Sequence, residues 1–101
     1  MKVFFIGMMG SGKTTLAKKL SELMNKSYVD IDDLIELKEN MSISEIFNKY
    51  GENYFRKIED ITLRSIGESE IIACGGGIII NKNNRKFLKE NGFTIYLKTS
   101  L

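Results

Sequence analysis

The chain has 101 residues, 43% of them hydrophobic, with 15 basic and 13 acidic side chains interspersed to a net charge of +2. That length and balance describe one globular domain, and the lack of a basic stripe interleaved with aromatics argues against a nucleic-acid partner. A single cysteine, Cys74, argues against a disulfide framework and suits a reducing cytoplasm. No apolar run approaches the ~20 residues of a bilayer span, and the start of the chain carries no secretory cleavage pattern. With no histidine in the chain, acid–base work falls to carboxylates, lysine or tyrosine.

Lys2-Val3-Phe4-Phe5-Ile6 reads as a short buried strand. It runs into Gly7-Met8-Met9-Gly10-Ser11-Gly12-Lys13-Thr14, which fits G-x-x-x-x-G-K-[ST] at every position. A helix over Thr14 to Met24 follows, with Leu16, Leu20, Leu23 and Met24 expected on its apolar face. A strand, a glycine loop and a helix in that order aim several backbone N–H groups and the helix dipole at one point, so a phosphate is held without a side chain for each oxygen. Gly10, Ser11, Gly12, Lys13, Thr14 and Thr15 are the nucleotide-binding candidates. In such a loop the lysine reaches the outer phosphates and the Thr14 hydroxyl is placed for Mg²⁺.

Ser27-Tyr28-Val29-Asp30 is a second strand, and a helix starts near Asp32 and ends before Asn40 and Ser42. Ser42-x-x-Glu45 is a capping-box signature ahead of Ile43, Ile46, Phe47 and Tyr50. Beyond Gly51 comes a longer helix with Tyr54, Phe55, Ile58, Ile61 and Thr62 on its buried side. Glu70 to Cys74 forms a strand ending in Gly75-Gly76-Gly77. A helix around Asn84–Asn91, whose basic residues read as a solvated face, leads to a strand over 93–98. Apolar strands alternating with helices predict a parallel sheet covered on both faces, with ligands outside the carboxyl ends of the strands. The Gly7 loop, Asp30-Ile31-Asp32 and the triple glycine then share one rim.

At that rim, one of Asp30 and Asp32 suits Mg²⁺ and the other an acceptor hydroxyl, while Asp32 or Asp33 is also a natural cap for the following helix. Arg56 offers a fork for a carboxylate, but from spacing alone it equally reads as an arginine paired with Glu52, Glu59 or Asp60. Three consecutive glycines after a buried strand suggest a close approach of backbone to ligand, or a plain turn. Cys74 reads as a small core residue.

These segments together resemble the shikimate kinase family. The resemblance rests on the glycine loop 7–14, Asp30-Ile-Asp-Asp-Leu-Ile-Glu36, Ser44-Glu-Ile-Phe47, Gly51-Glu52 with Phe55-Arg56-Lys-Ile-Glu59, and Gly75-Gly-Gly77. It implies a P-loop α/β fold and transfer of the ATP γ-phosphoryl group to the 3-hydroxyl of shikimate in aromatic amino-acid biosynthesis. By the same resemblance Lys13 stabilises the transferring group, and Thr14 and, through water, Asp30 serve Mg²⁺. Asp32 binds shikimate hydroxyls and is the candidate base, and Arg56 takes the shikimate carboxylate. Gly75, Gly76 and Gly77 approach by backbone, while Phe47, Phe55 and Glu59 shape the pocket. The helical segment of about 32–66 is the implied substrate-binding part, and a full-length cytoplasmic monomer the implied setting. The family pattern continues past the position of Leu101 through a lid with an arginine, a second carboxylate-binding arginine, the adenine site, another strand and a closing helix. The expectation is therefore a fragment, the N-terminal two-thirds of the usual chain. Two other readings are a nucleotide-binding module without catalysis and a related small-molecule kinase such as a gluconate kinase.

Overall fold

The structure is a computed structural model that describes residues 2–7 and 13–97, with the side chains of residues 13–15 and 97 left out. In chain order it comprises β1 (Lys2–Gly7), α1 (Lys13–Met24), β2 (Tyr28–Asp30), α2 (Ile31–Glu39), α3 (Ile43–Tyr50), α4 (Glu52–Arg64), β3 (Ile71–Gly75), a 3₁₀ segment (Gly76–Ile80), α5 (Lys82–Asn91) and β4 (Gly92–Leu97). The four strands form one parallel sheet in the order β2-β3-β1-β4. Predicted strands and helices are all present, although the predicted end of the last strand, Lys98, lies outside the described residues.

Strand periodicity divides the core in two, because successive side chains leave a strand on opposite faces. Phe5, Ile71 and Ala73 face α1 through Ala17, with Val3, Leu20 and Tyr28 around them. Phe4, Ile6, Ile72 and Cys74 face the other way, into a larger layer made with Ile31, Ile35, Ile46, Phe55, Leu63, Ile78 and Leu88 from α2 to α5. Apolar side chains on both faces of β1 and β3 explain why these strands read as unbroken apolar runs rather than alternating ones. Cys74 is a buried core residue, as read.

Three local expectations need correction. On α1 the residues turned to the sheet are the small Ala17 and Ser21, whereas Leu16, Leu23 and Met24 are 46%, 80% and 49% exposed. Small side chains let the helix backbone sit close to the sheet, and of the expected stripe Leu20 alone packs against this layer. On α4 the buried positions are Phe55, Glu59, Thr62 and Leu63, and Ile61 is exposed. On α2 the cap is Asp30, not Asp32 or Asp33: its Oδ1 accepts from the Asp32 N–H at 2.9 Å and the Asp33 N–H at 3.3 Å, and the helix starts at Ile31. The capping box at Ser42 is as predicted, with Glu45 N–H donating to Ser42 Oγ at 3.1 Å and Ser42 N–H to Glu45 Oε1 at 3.0 Å. Gly51, at φ 89°, makes the turn from α3 into α4.

Both-face coverage does not extend to β4 among the described residues. It pairs with β1 only, and Phe93, Ile95 and Tyr96 are exposed. Its first residue has a strict size limit, since a Cβ on Gly92 would collide with the backbone carbonyl of its register partner Lys2. The pair opens the β1–β4 ladder, and the five pairs that follow it hold the two backbones together. Gly92→Ala is therefore expected to destabilise the fold by about 1–3 kcal/mol, as overpacking does. In thermal unfolding followed by circular dichroism this is a fall of several degrees at least; an unchanged midpoint would show that the two strands are not so closely apposed.

Candidate active site at the carboxyl rim of the sheet

β1 and β3 end side by side, with Gly7 opposite Gly75, while β2 stops two register positions lower with Asp30 opposite Ala73. The chain turns into α2 immediately after Asp30, and that turn lifts Asp32 over the end of β3. A Cβ added to Gly75 would lie 3.5 Å from Asp32 Oδ2 and 4.0 Å from Glu59 Oε2. Two carboxylates from two different helices thus flank the first of the three glycines. The third, Gly77, lies against the Arg56 guanidinium so closely that a Cβ there would collide with it. Gly75 ends β3, and Gly76 and Gly77 open the 3₁₀ segment, so the triple glycine is regular backbone pressed on the α4 side chains, not a loose turn.

Arg56 is paired with two of the partners that spacing allowed, Glu59 and Glu52. Its Nη1 donates to Glu59 Oε1 at 3.0 Å, and Nε and Nη2 lie 3.4 Å from Glu52 Oε2. About a third of the side chain remains exposed, enough for a carboxylate to be presented from the rim side. Burial works against the Arg56 charge, but the bonds to Glu59 and Glu52 outweigh it and hold the guanidinium protonated. Glu59 is in the opposite position. Its 1% exposure pushes the carboxyl up, the Arg56 hydrogen bond pulls it down, and the nearby charge of Asp32 adds to the upward shift. The outcome is a raised Glu59.

Phe47 and Phe55 wall one side, with ring centroids 4.8 Å apart, and the Arg56 guanidinium carbon lies 5.4 Å from the Phe55 centroid. The structure therefore brings together Asp32, Arg56, Glu59, Gly75, Gly77, Phe55 and Phe47, drawn from α2, α3, α4 and the end of β3. Asp30 is one residue from this group, buried at the base of α2. Gly10, Ser11 and Gly12 lie outside the described residues, as do the side chains of Lys13, Thr14 and Thr15, of which the backbone forms the start of α1.

A guanidinium held at a glycine backbone, with carboxylates beside it and aromatic rings behind, can bind an acid that also bears hydroxyls. Residues 9–101 match the family model described as shikimate kinase. The chain belongs to the shikimate kinase family. A shikimate kinase of Sulfurihydrogenibium sp. is 44% identical over 98% of this chain. The crystal structure of Aquifex aeolicus shikimate kinase superposes at a TM-score of 0.90, with 37% identity and all of the chain covered. The Acinetobacter baumannii shikimate kinase in complex with shikimate superposes at 0.91, with 39% identity over 98% of the chain. The chain spans 61% of the length of the first two relatives and 56% of the third. The P-loop α/β architecture expected of the shikimate kinase family is thereby established for this part.

Sequence reasoning did not find Asn84, and it offered Asp60 as a partner of Arg56, whereas the Asp60 carboxylate accepts from Asn81 and Asn84. Asn84 is 1% exposed in what reads as a polar helix start, and it binds Asp60, the neighbour of Glu59. The helix in fact begins at Lys82, capped by Asn81, whose Oδ1 accepts from the Asn83 N–H at 2.8 Å. The Asn81-x-Asn83 cap spacing was the available signal that Asn84 lies inside the first turn.

The raised Glu59 carboxyl has a definite pH signature. Folding holds its proton to higher pH than the unfolded chain does, so its contribution to stability falls as pH rises from about 4.5 through the folded value. Removing the guanidinium removes the one strong downward pull. In Arg56→Ala the Glu59 titration is expected to move further up, and in Gly77→Ala to move the same way because the new methyl displaces the flexible guanidinium end. Carboxyl ¹³C NMR titration checks this, and a Glu59 midpoint unmoved in both variants would contradict the contact.

Proposed function

We propose that the protein is a shikimate kinase, transferring the γ-phosphoryl group of ATP to the 3-hydroxyl of shikimate. The observation that carries this reading is the convergence of Asp32, Arg56 and the Gly75–Gly77 backbone at one rim, next to the strand that leads into the phosphate loop. Family membership and the shikimate complex of a relative support the choice of acceptor.

In this reading the segment of about 32–66 binds the acceptor. Arg56 takes the shikimate carboxylate, which competes with Glu52 for the Nε and Nη2 edge of the fork. Glu59 stays behind Arg56 and holds its other edge, and Phe47 and Phe55 back the ring of the acceptor. Asp32 accepts from the hydroxyls and orients the attacking one, receiving its proton as the new bond forms. Since phosphoryl transfer depends mainly on positioning and charge neutralisation, orientation is the larger part of its role. The amides of Gly10, Ser11, Gly12 and Thr15 cradle the nucleotide, and Lys13 neutralises charge on the transferring group.

Mg²⁺ fits the donors at the base of this rim. Among the described residues no cluster of three or more His, Cys, Asp or Glu side chains could cage an ion. Bound here with few protein oxygens, Mg²⁺ would keep water and phosphate ligands, as it commonly does. Thr14 and, through water, Asp30 are the residues that would hold it; the buried Asp30 carboxylate is steadied by the first amides of α2. When bound, Mg²⁺ screens the phosphate charge. The substrates are small molecules, with a cytoplasmic monomer as the setting; no helix of the described residues is long and apolar enough to cross a membrane.

ADP release from Mg·ATP, measured with shikimate, with gluconate and with neither, tests the reading. Shikimate-dependent release is expected. Release with gluconate alone, or binding of nucleotide without any response to shikimate, would replace it with one of the other two classes. Within the reading, Lys13→Ala abolishes turnover without unfolding the chain. Arg56→Ala raises the shikimate KM about 10- to 100-fold, the loss of charge-assisted hydrogen bonds, and leaves the ATP KM nearly unchanged.

A further inference from the structure

Resting on the shikimate kinase reading, a further inference concerns how the glycine backbone is kept against Arg56. The 3₁₀ segment Gly76–Ile80 has no side-chain cap, and its glycines bring no side chain of their own to anchor it. Its later residues are held by the buried Ile78 side chain and by Arg85, which donates to the Ile79 and Ile80 carbonyls at 2.6 and 3.2 Å; the side chain that ties the glycine end to α4 is Asn84. Its Nδ2 donates to the Ile78 carbonyl at 3.1 Å, one residue after Gly77, and to Asp60 Oδ1 at 2.6 Å on α4. Asn81, at the far end of the segment, donates to the other Asp60 oxygen at 3.0 Å. Arg64 Nη1 donates to Asn84 Oδ1 at 2.8 Å and to the Asp60 carbonyl at 3.1 Å, which orients the Asn84 amide so that its NH₂ faces Asp60 and Ile78. Asp60 follows Glu59 directly and lies one turn beyond Arg56 on α4. The segment carrying Gly77 and the helix carrying Arg56 are therefore hooked together at Asp60, by Asn81 at the far end and by the buried Asn84 amide next to Gly77.

We propose that Asn84 is a positioning residue for the acceptor site: by bridging Asp60 and the Ile78 carbonyl it holds the Gly76–Gly77 backbone against Arg56 and so sets the affinity for the carboxylate-bearing acceptor, without touching it. The nucleotide side, at the start of α1, does not depend on this hook. Loss of the hook therefore acts on one substrate. A role confined to joining α4 and α5 would instead lower stability and leave the kinetics of the folded fraction alone.

The two roles separate in a pair of variants of the purified protein. Asn84→Ala removes both donors. The double variant Asp60→Asn with Asn84→Asp reverses the pair, so that the amide at 60 donates to the carboxylate at 84 and Arg64 still donates there. The tie between helices is kept, and the Ile78 carbonyl loses its donor. Steady-state kinetics and thermal unfolding are measured on both. Asn84→Ala is expected to raise the shikimate KM about 5- to 30-fold with the ATP KM within twofold, the scale of one or two buried hydrogen bonds. The reversed pair regains thermal stability but keeps the raised shikimate KM. If Asn84→Ala does not fold, the reversed pair decides alone. A wild-type shikimate KM in the reversed pair, or equal rises for both substrates, overturns the positioning role while leaving the kinase reading intact. Wild-type protein with no shikimate response at all removes the kinase reading and this inference with it.

Discussion

The arrangement at the rim depends on one buried ion pair. Glu59 lies in the seam between α4 and the sheet, at 1% exposure, where an apolar side chain would be the usual occupant. A lone carboxylate there would be strongly unfavourable, and the Arg56 guanidinium at 3.0 Å offsets much of that penalty. The pair is asymmetric: Glu59 is enclosed, and Arg56 reaches out to the surface. Its effect is to fix the direction of the guanidinium fork, because one Nη is committed to the interior. A buried pair of this kind adds little to stability compared with apolar packing, and its value lies in the geometry it imposes.

Glycine is what lets that geometry close. The guanidinium occupies the volume a side chain at position 77 would take, and Asp32 and Glu59 converge beside position 75. Each helix contributes a charged group, and the end of β3 contributes mostly backbone. A ligand in this rim thus meets fixed amides and carbonyls on one wall and ionised side chains on the other. Such a division suits recognition of a rigid, small, hydroxylated acid, since little side-chain entropy remains to be lost on binding.

How much of this could be read from the chain follows from which interactions are local. The phosphate loop, the capping box at Ser42 and the strand ends are short-range patterns with a mechanism attached, and they were legible. The partners of Arg56 were legible as a set, because Glu52 and Glu59 lie one helical turn away on either side. Which face α1 presents was not. Its leucines are the more hydrophobic choice, but the sheet accepts Ala17 and Ser21 because small residues allow closer approach, a fact of tertiary fit. Ile61 was misplaced because the apolar side chain was read as buried, whereas α4 turns Glu59 inward, where Arg56 one turn back on the same helix pairs with it. Asn84 was invisible because its partners lie elsewhere in the chain, Asp60 and Arg64 on α4 and the Ile78 carbonyl in the 3₁₀ segment.

Asp30 caps α2 with the same carboxylate oxygen that anchors the amide of Asp32. The two acidic residues at the end of β2 are therefore mechanically one unit. Any change that withdraws the Asp30 carboxylate loosens the first turn of α2 and lets Asp32 drift. Kinetic phenotypes at this strand end then cannot be divided cleanly into a nucleotide half and an acceptor half, and an asparagine, which still caps a helix, is the replacement that comes nearest to separating them.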